Sequence, residues 1–369
     1  VSPSVEIQLI AVVVAVACAL PGAFLVLQRM AMMSDAISHA ILPGIVLAFF
    51  ITHDLGSPLM ILGAAASGVL TVALVELLRK TGLLAEDAAI GIVFPALFSV
   101  GVVLIARYAG DVHLDIDAVL LGELAFAPFD RFILSGVDVG PRALVIMSAV
   151  LVVDLVFIVV FFKELKLTTF DAALAGSLGF APVLLHYVLM GLVSVTAVGA
   201  FDAVGSILVV ALMVAPPASA YLLTDRLKPM IYISCGIGAL SAIGGYWFAR
   251  YLDASIAGAM ATVAGAAFVL VVFLAPHRGL WSLARRRASQ KLLFGRKMLV
   301  IHLYNHEGLP EADLECRVEH LEDHLRWDHQ FANRAVKSSI ARSLILREGS
   351  LLMLTDEGRM LAREALVEF

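Results

Sequence analysis

IQLIAVVVAVACALPGAFLVL, residues 7–27, contains one polar side chain, Gln8, and no charge. A helix needs about 20 mostly apolar residues to cross the hydrocarbon core of a bilayer. The stretch has no basic n-region and runs straight into further apolar segments, so it reads as a membrane helix and not as a cleaved signal. Working outward, runs of the same kind follow at 36–52, 59–78, 90–109, 143–162, 181–199, 203–223, 230–250 and 254–275. Nine spans is the best single number within a range of eight to ten, and the predicted class is an all-α polytopic membrane protein. The sixth and seventh runs are separated only by the short FDAV stretch at 201–204. The segment 112–142 is mixed, and within it DAVLLGELAF (117–126) suits a short re-entrant or interfacial helix.

Composition agrees. The chain is 61% hydrophobic and 15% charged, against about 25% charged for a soluble domain. Residues 1–276 hold 11 Lys/Arg and 18 Asp/Glu, whereas the much shorter 277–369 holds 15 and 13. That shift sets a domain break near Pro276, giving a membrane domain (1–276), a basic linker (277–288) and a soluble domain (289–369). The net charge of −5 points to no nucleic-acid partner. Cys18, Cys235 and Cys316 are scattered without a C-x-x-C pair, so no disulfide framework is expected.

Loop charges set the orientation, because cytoplasmic loops carry the excess of Lys and Arg. One set of alternate loops holds Arg29, Arg79, Lys80, Lys163, Lys166, Arg226, Lys228 and the run RGLWSLARRR at 278–287. The other holds Arg107, Arg131, Arg142 and Arg250 among the acids Asp111, Asp115, Asp117 and Glu123. The first set is therefore expected inside, with the N-terminus outside and the C-terminal domain in the cytoplasm. GAAASG (63–68), GIGALSAIGG (236–245) and GAMATVAGAA (258–267) supply small residues. These let membrane helices approach closely and pack into a bundle.

Ionisable groups inside a span cost about 2.5–3.5 kcal/mol on insertion scales, so each needs a reason. In QRMAMMSDAISHAILPGIVLAFF (28–50), Asp35 and His39 stand four residues apart and share a helix face. A carboxylate and an imidazole so placed suit Mn²⁺, Fe²⁺ or Zn²⁺. Two ligands are too few, and a second copy across a two-fold axis would supply four. The alternative is a plain Asp–His hydrogen bond near the helix start, with Ser34 or Asp35 as N-cap. Pro43 and Gly44 follow and weaken the helix, as transport paths often do. Met30, Met32 and Met33 read as packing. Asp154, within the fifth span, is expected to hydrogen-bond a neighbouring helix. Glu76 lies near a helix end, within reach of the interface.

The stretch RMAMMSDAISHAILPG (29–44) resembles the signature of the integral-membrane permeases of manganese, zinc and iron ABC importers. AVGSILVVALMVAPPASAYLLTDRL (203–227) is similar to a second signature of that family, and LTTFDAALAGSLGF (167–180) to its cytoplasmic loop. The resemblance covers about 10–275. It implies a permease subunit in the cytoplasmic (inner) membrane. Asp35 and His39 would contact the transported ion, and no cofactor would be held permanently. It implies three protein partners: an ATP-binding subunit that uses the ATP, a second permease chain (itself or a paralogue) and an extracytoplasmic metal-binding protein. The loop at 163–182 becomes the ATPase-coupling element, with Phe170, Asp171, Leu174, Gly176 and Leu178 as its contact segment. Thr168 or Thr169 is expected to cap its short helix and Gly179 to end it. No G-x-x-x-x-G-K-[ST] is present, so the chain itself hydrolyses no ATP. No Arg-rich sensor helix or carbonyl filter supports a channel.

Beyond Ser289 the pattern changes. SQKLLFGRKMLVIHLYNHE, LECRVEHLEDHL (314–325) and DHQFANRAVKSSIARSL (328–344) read as three helices. LILREGSLLMLT reads as a β-hairpin, and TDEGRMLAREALVEF as a capped closing helix. The order is that of a winged helix-turn-helix, and it resembles the DNA-binding domain of DtxR/MntR-type repressors. That likeness leans the metal towards manganese or iron. Arg334, Lys337 and Arg342 would serve phosphate contacts, but acids nearly balance bases, which favours a regulatory or protein-contact role. His302/His306 and His320/His324 are pairs four apart that read as solvated faces, with a metal-sensing site as the alternative. The rival readings of the whole chain are a membrane-tethered metal-responsive regulator and a secondary cation transporter.

Overall fold

A computed structural model describes residues 2–53, 57–108, 124–134 and 137–368. The chain divides into two compact units, Val1–Gly279 and Leu280–Phe369. Among the described residues nine segments are long and apolar enough to cross a membrane.

The first unit is built on α1 (Pro3–Leu27), whose residues Ala17 through Leu25 are all buried. A helix apolar all round belongs inside a bundle. Around it pack α6 (Arg142–Val160), α10 (Ser206–Leu223) and α11 (Leu227–Leu252), with α12 (Ile256–Leu274) beyond. The second predicted span is two helices, α2 (Ala31–Ala40) and α3 (Leu42–Thr52), separated at Ile41. Pro43 has no N–H to continue the ladder, so the helix breaks just before it. The break is covered from α4 (Pro58–Lys80), where the Ser67 hydroxyl donates to the Ala40 carbonyl at 2.6 Å. Beside it α3 and α4 touch backbone to backbone. A Cβ on Gly44 would run into the Gly63 carbonyl oxygen and lie 2.8 Å from Ser67 Cβ. Gly44→Ala is therefore expected to destabilise the first unit by about 1–3 kcal/mol, the range for overpacking. Thermal unfolding in detergent reads that loss, and an unchanged midpoint would refute the close contact.

α5 (Glu86–Tyr108) and α9 (Pro182–Val204) complete the spans. FDAV (201–204) is not a connector, since it is the last turn of α9. The break is the single residue Gly205, at φ 79 and ψ 161. A side chain rarely tolerates that conformation, so glycine is needed to end one long helix and begin the next within a single residue. The cluster Asp111, His113, Asp115, Asp117 and Glu123, with most of the 117–126 helix, lies outside the described residues. Sequence reading missed a hairpin of β1 (Arg131–Leu134) and β2 (Val137–Pro141). Arg131 ties it down, reaching Asp138 at 2.8 Å and Glu6 of α1 at 3.2 Å.

The second unit opens with α13 (Leu280–His306), which starts inside the expected linker, nine residues before Ser289. The expected helix at 314–325 is instead two turns, α14 (Ala312–Glu315) and α15 (His320–His324). Between them the backbone pairs with the hairpin: Val318 N–H donates to the Ser350 carbonyl, and the Cys316 carbonyl accepts from Leu352 N–H. Peptide groups engaged in that pairing cannot also continue a helix. α16 (His329–Ile340) starts on Asp328, whose carboxylate accepts from Phe331 N–H at 2.8 Å. β3 (Ile345–Glu348) and β4 (Leu351–Leu354) pair antiparallel, and α17 (Asp356–Glu368) follows. Leu299, Leu303, Leu321, Val336, Ile345 and Leu352 form this unit's core.

Candidate functional site

α2 carries Asp35 and His39 on one face, with His39 Nε2 3.5 Å from Asp35 Oδ1. α2 begins at Ala31, so neither Ser34 nor Asp35 is an N-cap. The Ser34 and Ser38 hydroxyls instead donate back along the helix, to the Ala31 and Ser34 carbonyls. His39 stands 6.0 Å from the Phe94 ring and 6.3 Å from Phe98, both on α5. Asp35 opens the other way. With Met32 it lines a groove of about 440 Å³ whose far wall is Val210, Ala211, Val214 and Ala218 of α10. The pair is about one-third exposed. In a membrane-spanning unit that exposure is tolerable only towards a water-filled path or a second protein surface. Met30 and Met33 are buried packing, as their spacing predicts, while Met32 is exposed at the groove.

One acid and one imidazole leave most of an ion's coordination shell unfilled. The far wall of the groove adds only apolar side chains, so an ion held there would take its further ligands from water or another chain.

The loop at 163–182 holds α7 (Phe162–Phe170) and α8 (Ala172–Ser177). The cap of α8 is Asp171, whose carboxylate accepts from Leu174 N–H at 2.9 Å. Neither Thr168 nor Thr169 caps it, and the Thr168 hydroxyl donates to the Leu165 carbonyl within α7. Gly179, at φ 88, follows the C-cap Leu178 and turns the chain out of α8, and Phe180 N–H donates back to the Ala175 carbonyl. Phe170, Asp171, Leu174, Gly176 and Leu178 are all exposed, with Phe170 at 63% and Leu178 at 61%. Large apolar side chains thus stand exposed around one short capped helix.

Two buried acids have partners. Asp154 of α6 accepts from the Thr196 hydroxyl of α9 at 2.7 Å, the cross-helix bond expected of it. Glu76 does not simply reach the interface. It is 7% exposed and gathers His186 Nε2 at 3.2 Å, Arg79 at 3.3 Å, Lys80 at 3.5 Å and the Tyr187 hydroxyl at 3.2 Å. His186 Nδ1 meets Gln28 Oε1 at 3.2 Å. This network joins the end of α4, the start of α9 and the residue just after α1. No spacing rule reveals a contact among residues 28, 76 and 186, and the only signal was an acid in an apolar run.

Against known proteins, residues 5–275 match the model of the ABC 3 transport family. The zinc transport system membrane protein TroD of Treponema pallidum is 47% identical over 363 residues, covering 98% of this chain and 99% of its own length. The manganese transport system membrane protein MntD of Bacillus subtilis is 49% identical over 268 residues, 73% of this chain and 90% of its own. A solved structure, PsaBC from Streptococcus pneumoniae in complex with Fab, aligns at TM-score 0.62 and 29% identity over 76% of this chain and 94% of its own. The family match takes in Asp35, His39, the exposed loop and the candidate spans found among the described residues, the first of them from Val5 onward, and the chain belongs to the ABC 3 transport family as a membrane-spanning permease subunit.

Proposed function

We propose that the chain carries a divalent transition metal ion (Mn²⁺, Fe²⁺ or Zn²⁺) inward through a path past Asp35 and His39. It is the permease subunit of an ABC metal importer and forms or breaks no covalent bond itself. The observation that carries the path is the Asp35–His39 pair, held one turn apart and one-third exposed within a membrane-spanning helix. A second permease chain, a copy or a paralogue, supplies the missing ligands and covers the groove beside Asp35. An extracytoplasmic metal-binding protein delivers the ion. A separate ATP-binding subunit docks on the loop at Phe170, Leu174 and Leu178, and ATP is used there. Asp171 keeps the short helix wound, and Gly176 leaves its surface flat. The basic loops put that docking face in the cytoplasm, the N-terminus outside and the second unit inside.

The second unit is a winged-helix domain in this reading, with the β3–β4 hairpin as the wing. The TroD match runs through it, while the MntD match leaves about a quarter of the chain uncovered. A protein-contact or regulatory role suits its mixed charge better than DNA binding.

Uptake into proteoliposomes tests the function. The expected result is accumulation of labelled metal that needs both the ATP-binding subunit and ATP, with competition among the three ions ranking them. Accumulation driven by an ion gradient without the ATP-binding subunit would make the chain a secondary transporter and overturn the proposal.

A further inference from the structure

The second unit brings together four histidines that sequence spacing kept apart. His302 and His306 stand one turn apart on α13, and His320 and His324 one turn apart on α15. Glu315, the last residue of α14, lies between the pairs. Its Oε2 is 3.1 Å from His320 Nε2 and 3.1 Å from His324 Nδ1. The ring of His302 is 4.8 Å from that of His306 and 5.3 Å from that of His324, and His306 and His324 are 6.0 Å apart. Ligand atoms of His302, His306 and Glu315 all lie within 4.8 Å of one another, and so do those of Glu315, His320 and His324. The two pairs therefore meet at one cluster, with His302 buried and His324 still 49% exposed.

We infer that the second unit holds a divalent transition-metal site centred on Glu315, distinct in its residues from the Asp35–His39 pair. Imidazole nitrogens with one carboxylate oxygen and no thiolate suit Zn²⁺, Co²⁺, Ni²⁺ or Fe²⁺ better than the hard cations Ca²⁺ and Mg²⁺. Two further observations point to a ligand. His306 Nδ1 is buried without a hydrogen-bond partner among the described residues, and Glu315 Oε2 likewise accepts no hydrogen bond despite two nitrogens at 3.1 Å. Buried polar atoms are seldom left so, and a missing ion is one recognised cause. His302 is already oriented as a ligand is. Its Nε2 lies 3.1 Å from the Glu315 carbonyl oxygen, and donation there leaves Nδ1 as the lone-pair nitrogen. Metal-bound histidines commonly donate their second nitrogen to a carbonyl in this way.

Glu315 belongs to both three-ligand groups, so an ion in either group needs it. An ion there ties α13 to α14 and α15. It fastens the irregular stretch that otherwise hangs on two backbone pairs to the β3–β4 hairpin.

The test uses the full chain in detergent, carrying Asp35→Asn and His39→Ala to remove the transport pair. Co²⁺ is titrated while its visible d–d absorption is followed, and bound Zn²⁺ is counted after equilibrium dialysis. At least one ion per chain is expected, with the bands of a low-coordinate nitrogen and oxygen environment. Glu315→Gln, nearly isosteric, should weaken binding by roughly 100-fold or more, beyond the loss given by outer-shell partners. His306→Ala with His324→Ala takes one ligand from each group and should do the same, which keeps the test open if the Gln variant misfolds. Absence of the bands in the parent chain overturns the site. So do bands that survive both variants unchanged.

Discussion

Asp35→Asn is expected to abolish metal uptake while the chain still inserts and assembles. The expected fall is to roughly one hundredth of the starting rate or less, the scale of losses around metal sites. The argument runs through charge. An ion leaving water for a membrane path loses hydration, and fixed negative charge on the wall is what offsets that loss. Asparagine keeps the volume and one acceptor oxygen of Asp35 but not the charge. His39→Ala removes the imidazole nitrogen 3.5 Å away and should fall comparably. The fold should be spared. Asp35 lines an open groove, and the α2 serines bond along their own helix, so no packing depends on its carboxylate. The unfolding free energy of the Asp35→Asn chain should therefore stay within about 0.5 kcal/mol of wild type, as for surface changes. Normal uptake by both variants would sink the assignment. Low uptake with an equal loss of stability would recast the pair as a structural one.

Much of the first unit was legible because a bilayer imposes a length and a polarity that single residues display. Nine apolar runs read from hydropathy correspond to nine segments among the described residues, and the Asp35–His39 pair follows from one helical turn. What stayed hidden depends on contacts across the chain. Pro43 announces a break, but nothing in its neighbourhood says that Ser67 will catch the freed Ala40 carbonyl. FDAV looked like a loop because Asp202 interrupts the apolar pattern, whereas the backbone turns at Gly205. In the tail, LECRVEHLEDHL has helical spacing throughout, yet residues 316–318 are claimed by the hairpin. Past the same interruption His324 lies against His302 and His306, so one missed strand-like pairing also hid the histidine cluster.

Glu76→Ala is expected to cost the membrane-spanning unit about 2–3 kcal/mol. That lies below the 3–5 kcal/mol typical of breaking a buried ion pair, because two of the partners can escape to solvent: Arg79 is 43% exposed and Lys80 63%. His186 and Tyr187 cannot follow them so easily, as His186 is only 19% exposed. Glu76→Gln retains an acceptor for the Tyr187 hydroxyl and should lose roughly half as much, since a hydrogen bond to a charged group is worth about 1.5–3 kcal/mol and a neutral one about 1. Thermal unfolding in detergent separates the two variants. A double-mutant cycle with His186→Ala should show coupling of about 0.5–3 kcal/mol, the range for residues in one network. Additive losses would mean that the two side chains merely sit together. The network also has a mechanical consequence. Gln28 ends the α1 segment just ahead of the helix bearing Asp35 and His39, and His186 stands in the first turns of α9, directly after the exposed loop. Glu76 holds His186 and His186 in turn meets Gln28, so these contacts run from the helix after the loop to the residue just ahead of α2, and they are expected to carry a displacement of the loop to α2. The Glu76→Ala chain should therefore lose more ATP-driven uptake than its lowered stability alone accounts for, while its Asp35–His39 pair still binds the ion. Uptake that falls only in proportion to the fraction of folded chain would confine Glu76 to holding the bundle together.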